Sequence, residues 1–116
     1  MPDTPLDPAV FAELQATAGS DFVAELVQTF FEEAPQMIAE LRAAQRAGSA
    51  ERFRRAAHSL KTNASTFGAA ALGAAARELE HGGVPADAHG IDALQSRYDI
   101  AVGALRALIE GGTRDG

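Results

Sequence analysis

Apolar residues recur at alternating steps of four and three along most of this 116-residue chain. This spacing gathers them on one face of an α-helix, because a helix completes a turn every ~3.6 residues. No segment alternates apolar and polar residues as a half-buried strand does, and alanine, the strongest helix former, is abundant. We therefore predict an all-α fold.

The apolar stripes and the residues that interrupt them predict five helices. A short first helix begins after Asp7, which can cap its free amides, with Pro8 in the first helical position. Four longer helices follow, over about residues 21–47, 50–67, 69–80 and 88–110. Pro35 lies inside the second of them and is expected to kink or split it, because proline lacks the amide hydrogen.

Each longer helix carries its own apolar stripe. In the second helix it comprises Val23, Val27, Phe30, Ala34, Met37, Leu41 and Ala44, widened by Phe22, Leu26 and Ile38. In the third, fourth and last helices it comprises Phe53, Ala57, Leu60, Ala64 and Phe67, then Leu72, Ala76 and Leu79, then Ile91, Leu94, Tyr98, Ala101, Leu105 and Leu108. Such helices joined by short loops predict an antiparallel four-helix bundle with a short additional N-terminal helix. We expect residues 1–116 to form a single domain with a core over about 7–110.

Composition and charge exclude several classes of function. The chain has no cysteine and a formal charge of −6, so disulfides, thiolate chemistry and general nucleic-acid binding are not expected. No apolar run reaches the ~20 residues of a membrane span, and the N-terminus lacks the pattern of a secretory signal. We expect a cytoplasmic protein that binds neither nucleic acid nor membrane.

Segment 51–61 departs from this acidic background, with one acidic and four basic residues and a net charge of +3. At ~100° per residue, His58 falls roughly 140° from the centre of the third helix's apolar stripe, on the solvent side. The polar residues at helical spacing around it are Arg54, Arg55, Lys61, Thr62 and Ser65. Lys61 is the only lysine in the chain.

A solvent-facing imidazole in this setting has two interpretations. It can be an idle surface residue, or it can be a nucleophile, since imidazole has an ordinary pKa of about 6.5 and is largely unprotonated near neutral pH. Attack on a phosphoryl group depends mainly on positioning and on cations that offset the oxygen charges. A lysine one turn away suits that task. His81 and His89 lack the spacing of metal ligands, so no metal site is predicted.

The stretch Ala56-Ala57-His58-Ser59-Leu60-Lys61 resembles the signature of histidine-containing phosphotransfer (HPt) domains. Phe67-Gly68-Ala69, Leu72 and Leu79-Glu80 follow it at matching distances, and the segment from Phe30 to Pro35 is similar to the family's second helix. The resemblance covers roughly residues 20–80. One position departs from the family, which usually has glycine where this chain has Thr62. The threonine adds bulk near His58, or its hydroxyl bonds a phosphoryl oxygen; the sequence leaves both interpretations open.

The resemblance implies a phosphoryl carrier without autonomous catalysis, in which His58 is the phosphoacceptor and Lys61 stabilises the phosphoryl group. The implied partners are response-regulator receiver domains and a hybrid sensor histidine kinase. Mg²⁺ is expected on the receiver, and this chain is expected to be a monomer that needs no cofactor. Arg54, Arg55, Ala57, Thr62 and Ser65 are predicted to support docking. The alternative function is a non-phosphorylated helical module that docks on a receiver domain or sequesters it.

Overall fold

The computed structural model describes residues 6–115, with side chains through residue 110. All regular structure within this range is helical, as predicted. The five helices are α1 (Pro8–Ala18), α2 (Ser20–Ala47), α3 (Ala50–Thr66), α4 (Ala70–Gly82) and α5 (His89–Asp115). Their starts and ends lie within two residues of the predicted ones except at the end of α5, which continues past residue 110. Among the described residues, no helix has the length and apolar character needed to cross a membrane.

Local sequence accounts for the helix boundaries around the site. The Asp7 side chain caps α1 by accepting a hydrogen bond from the amide of Ala9 at 3.0 Å. Ser49 occupies the cap position of α3, although its side chain makes no capping hydrogen bond. Gly68 adopts a φ of +73° between α3 and α4, a left-handed conformation that glycine accommodates readily. The tight turn at Gly68 brings α3 and α4 together as neighbouring helices.

The helices enclose one apolar core. Helix α3 packs between α2 and α4, α5 packs against α4 and α2, and α1 packs on α2. Nine of the largest core side chains are less than 2% exposed: Phe53, Leu41, Leu60, Leu72, Ile91, Leu94, Leu105, Val23 and Val27. None of the described polar or charged residues is buried, so polar side chains are confined to the surface and its grooves. Any reactive polar group among the described residues therefore lies on the surface or in a groove.

The structure corrects two apolar stripes and one of the two expected effects of Pro35. Helix α2 is not split at Pro35, whose ring lies exposed on the helix surface while Ala34 beside it is fully buried. Ile38, not Met37, is the buried stripe residue of the next turn. In the same way the stripe of α5 continues from Leu105 to Ile109, and Leu108 is 38% exposed. In both cases the step is four residues and not three, because a straight helix drifts from a strict seven-residue repeat.

Phe22 was expected to widen the apolar face of α2, but it is 52% exposed. It lies in the first turn of the helix, immediately before the buried Val23. Its ring therefore falls outside the buried stripe, and Phe22 is a surface residue.

Candidate functional site

Helix α3 holds His58 at the protein surface. Ala57 before it and Leu60 after it are fully buried, so they anchor this turn of the helix against the core. The imidazole itself is 58% exposed, on the solvent side as the helical spacing predicts. A side chain of this kind is accessible to another protein while its backbone is held rigidly by packing.

Glu80, on the facing helix α4, contacts the imidazole directly. Its Oε2 lies 2.7 Å from Nδ1 of His58, and its side chain is only 12% exposed. An ionised carboxylate can only accept hydrogen bonds, so Nδ1 carries the proton and donates a hydrogen bond to Glu80. In the neutral ring this leaves the lone pair on Nε2, for which the described residues provide no hydrogen-bond partner. Glu80 thus selects the tautomer whose exposed nitrogen is nucleophilic.

The same carboxylate also pairs with Lys61. The ammonium Nζ lies 2.8 Å from Oε1, and the lysine side chain is 29% exposed. Interactions with Lys61 and then with His58 hold the pKa of Glu80 far below its usual 4.5, at about 2, and outweigh the opposing effect of partial burial. Glu80 is therefore ionised throughout the physiological pH range. Lys61 is therefore not a free ammonium group beside the imidazole. It is linked to His58 through the carboxylate of Glu80, which contacts both side chains.

Sequence reasoning assigned no role to Glu80, although a signal for it was present. Residues 67–69 join α3 to α4, so the turn is centred on Gly68. In a helical hairpin, residues at similar distances from the centre of the turn lie near each other, and His58 and Glu80 stand ten and twelve positions from Gly68. Counting outward from the predicted turn would therefore have placed Glu80 near the imidazole, although not in contact with it.

Thr62 and Ser65 lie exposed on the same helix face, further along α3. The Thr62 hydroxyl donates a hydrogen bond to the backbone carbonyl of His58 at 3.1 Å. Such a bond to the preceding turn is common for threonine in helices and turns the hydroxyl hydrogen toward the backbone. In this conformation the hydroxyl hydrogen is bound to the backbone and is not directed at a group on the imidazole.

The basic segment 51–61 is largely neutralised in the fold. Arg52 forms two hydrogen bonds to Glu40 of α2, at 2.8 and 3.0 Å, and this interaction lowers the pKa of the carboxyl and raises that of the guanidinium. Arg55 pairs with Glu51 at 2.7 Å on the helix surface. Arg54 is exposed and makes no ion pair with any residue that the structure describes. The predicted net charge of +3 thus does not persist as a continuous basic patch.

The prediction that Ala57 supports docking is wrong. Its side chain is fully buried, because the residue belongs to the apolar stripe that faces the core. The small side chains that do reach the surface near the imidazole are Ser59, which is half-buried, and Thr62 and Ser65. A partner would meet a mainly polar surface.

Neither remaining histidine completes a metal site. His81 is 63% exposed, and its Nε2 lies 3.9 Å from Oε1 of Glu80, beyond hydrogen-bond distance. His89 begins α5, on the far side of the loop that follows α4. No group of three or more potential metal ligands occurs within the described residues.

Comparisons with known proteins identify the family of this chain. The sequence profile of the Hpt domain family matches residues 25–110. The crystal structure of histidine-containing phosphotransfer protein B (HptB) from Pseudomonas aeruginosa PAO1 superimposes with a TM-score of 0.74 at 28% sequence identity, and the alignment covers 97% of this chain and 96% of that one. No curated protein sequence matches significantly. The family match favours phosphotransfer over sequestration of a receiver. This chain belongs to the Hpt domain family, whose members carry a phosphoryl group on histidine in two-component phosphorelays.

Proposed function

We propose that Nε2 of His58 is the atom that carries the phosphoryl group. It would attack the phosphorus of an aspartyl phosphate on a receiver domain, forming a P–N bond as the P–O bond to the aspartate breaks. The same steps in reverse would deliver the group to a second aspartate. The observation that supports this most strongly is the 2.7 Å contact between Nδ1 and Glu80, which holds the proton on one nitrogen and leaves the other free at the surface.

We assign the stabilisation of the phosphoryl group to Lys61. Its ammonium is held 2.8 Å from Glu80, within one helical turn of the phosphoacceptor, and lysine provides a compact, mobile point charge. A phosphoryl group on Nε2 would bring new negative charge into this turn and compete with Glu80 for the ammonium. This chain would supply charge and orientation only, with Mg²⁺ bound by the receiver and no catalysis without a partner.

The docking surface is the exposed face of α3 around His58, together with the adjacent part of α2. Thr62, Ser65, Arg54 and Arg55 lie on this face and would support docking. The partners would be receiver domains and a hybrid sensor histidine kinase in the cytoplasm, and neither nucleic acid nor membrane is involved. For the scaffold we propose an antiparallel four-helix bundle of α2–α5 with α1 added at one end, acting as a monomer.

Transfer of labelled phosphoryl from receiver domains tests this function. A panel of receivers from the same genome is phosphorylated with ³²P-acetyl phosphate, freed of the donor and mixed with the chain. We expect label on the wild-type chain that is labile to acid and stable to base, and none on His58→Gln. His89→Gln is the matched control, and we expect it to be labelled like the wild type.

Two results would contradict the proposal. Label that persists in His58→Gln would place the phosphoryl group on another residue. A stable complex with a receiver in which label never appears on the wild-type chain would show a module that only sequesters its partner.

A further inference from the structure

The cations around His58 differ in their availability to a partner. Within segment 51–61, Arg52 is held by Glu40, Arg55 by Glu51 and Lys61 by Glu80, at distances of 2.7 to 2.8 Å. Each of these ion pairs is electrically neutral as a unit. Arg54 remains, with no carboxylate partner among the described residues.

The position of Arg54 gives this unpaired charge its importance. It stands four residues before His58, so the two side chains are neighbours on the same face of α3. At ~100° per residue, Arg54 falls on the side of His58 that faces Lys61 and α4, whereas Arg55 falls on the side that faces α2. The groove between α2 and α3 confirms the second placement, since Arg52 and Arg55 line it and Arg54 does not.

The net charge of the protein makes an unpaired arginine beside His58 effective. The chain has a net charge of −6, so an acidic partner is repelled by most of its surface. An arginine that is already paired must break its ion pair before it can bind a carboxylate of the partner. Arg54 has only to lose its hydrating water. Its planar guanidinium suits a partner carboxylate, which it can bind through two parallel hydrogen bonds.

We propose that Arg54 determines which receivers are used, by forming an ion pair with a carboxylate on the receiver surface beside the docked His58. This inference rests on the proposed phosphotransfer. Arg54 would act in the encounter and in the docked complex, not on the phosphoryl group itself. Receivers with an acidic residue at the facing position would be preferred over those with a neutral or basic one.

Transfer kinetics of Arg54→Gln test the proposal, with the receiver that labels the wild-type chain fastest. We expect the second-order rate constant to fall about two- to fivefold, because exposed ion pairs contribute modestly. The maximal rate at saturating receiver should be unchanged. Arg54→Lys should recover part of the loss, and 0.5 M salt should reduce the difference from the wild type.

The control for net charge is Arg97→Gln, an exposed arginine of α5, a helix that has no extensive contact with α3. We expect Arg97→Gln to transfer like the wild type, and Arg55→Gln to lose less than Arg54→Gln. Equal rates for Arg54→Gln and Arg97→Gln would overturn the assignment, as would a loss confined to the maximal rate. Failure of the wild-type chain to accept label from any receiver would instead refute the proposed function.

Discussion

The turn at Gly68 allows a prediction whose magnitude follows from the geometry. Gly68 and Gly48 both adopt left-handed backbone conformations, with φ of +73° and +69°. A Cβ at Gly48 would have no atom within 4 Å, whereas a Cβ at Gly68 would lie 2.9 Å from Cβ of Val10 and 3.1 Å from the carbonyl oxygen of Asp7. A side chain at either position would therefore meet the same backbone strain, but only the side chain at position 68 would also be crowded by neighbouring atoms.

We expect Gly48→Ala to lower the free energy of unfolding by about 1–2 kcal/mol, the cost of a left-handed conformation for a residue with a Cβ. Gly68→Ala incurs the same backbone cost and must also displace α1 from the turn. The displacement adds about 1–3 kcal/mol by analogy with overpacked cores. It also threatens the hydrogen bond from the Asp7 amide to the Gly68 carbonyl at 2.8 Å. The total for Gly68→Ala is about 2–5 kcal/mol, a large part of the stability of a typical domain.

Urea unfolding followed by circular dichroism at 222 nm measures both variants on the same scale. We expect the midpoint to fall further for Gly68→Ala than for Gly48→Ala, with the slope unchanged in both. Equal midpoints would refute the reasoning, because they would show that α1 does not press against the turn that joins the two helices of the site.

Three further predictions concern Glu80. Glu80→Gln should slow phosphotransfer by about 10- to 100-fold, as expected when the partner that orients a reactive histidine is removed. The matched variant Glu40→Gln breaks the pair with Arg52. It should slow phosphotransfer less than about threefold, since exposed ion pairs contribute little. The ¹⁵N chemical shifts of the unphosphorylated ring should show the proton on Nδ1 in the wild type and a mixture of tautomers in Glu80→Gln, and a wild-type ring protonated mainly on Nε2 would contradict the site geometry. Because the folded state lowers the pKa of Glu80 from 4.5 to about 2, its stabilisation is complete above pH 4.5 and is lost as the pH falls through about 2. The stability difference between the wild type and Glu80→Gln should therefore shrink over that interval, and a difference that does not change with pH would show that the ion pair is not formed.

The sequence predicted those features that depend on local periodicity. The apolar stripes of α3 and α4 were placed correctly. Phe53 and Leu60 of α3 and Leu72 of α4 stand at predicted stripe positions and are fully or almost fully buried. The predicted cap at Asp7 is also present. Met37 and Leu108 were misplaced because a fixed alternation of three and four residues ignores the gradual rotation of the stripe around a straight helix.

The candidate site was only partly predictable for a different reason. The exposure of His58 follows from its own helix, so its position on the wheel was sufficient. Two of the three carboxylates that neutralise the basic segment come from other helices, since Glu40 lies on α2 and Glu80 on α4. Which residues meet across two helices depends on their relative register, and only the folded structure fixes it. For this reason the sequence predicted Lys61 one turn from His58 but not the carboxylate with which it pairs.

The most direct test of the central claim is the position of the phosphoryl group on the imidazole ring. The chain is labelled with ¹⁵N-histidine, phosphorylated by its fastest receiver, and observed through the ¹⁵N–³¹P coupling and ring shifts of the product. We predict a single phosphohistidine at residue 58 with phosphorus on Nε2, because Glu80 occupies Nδ1. Phosphorus on Nδ1, or on a residue other than His58, would contradict this account.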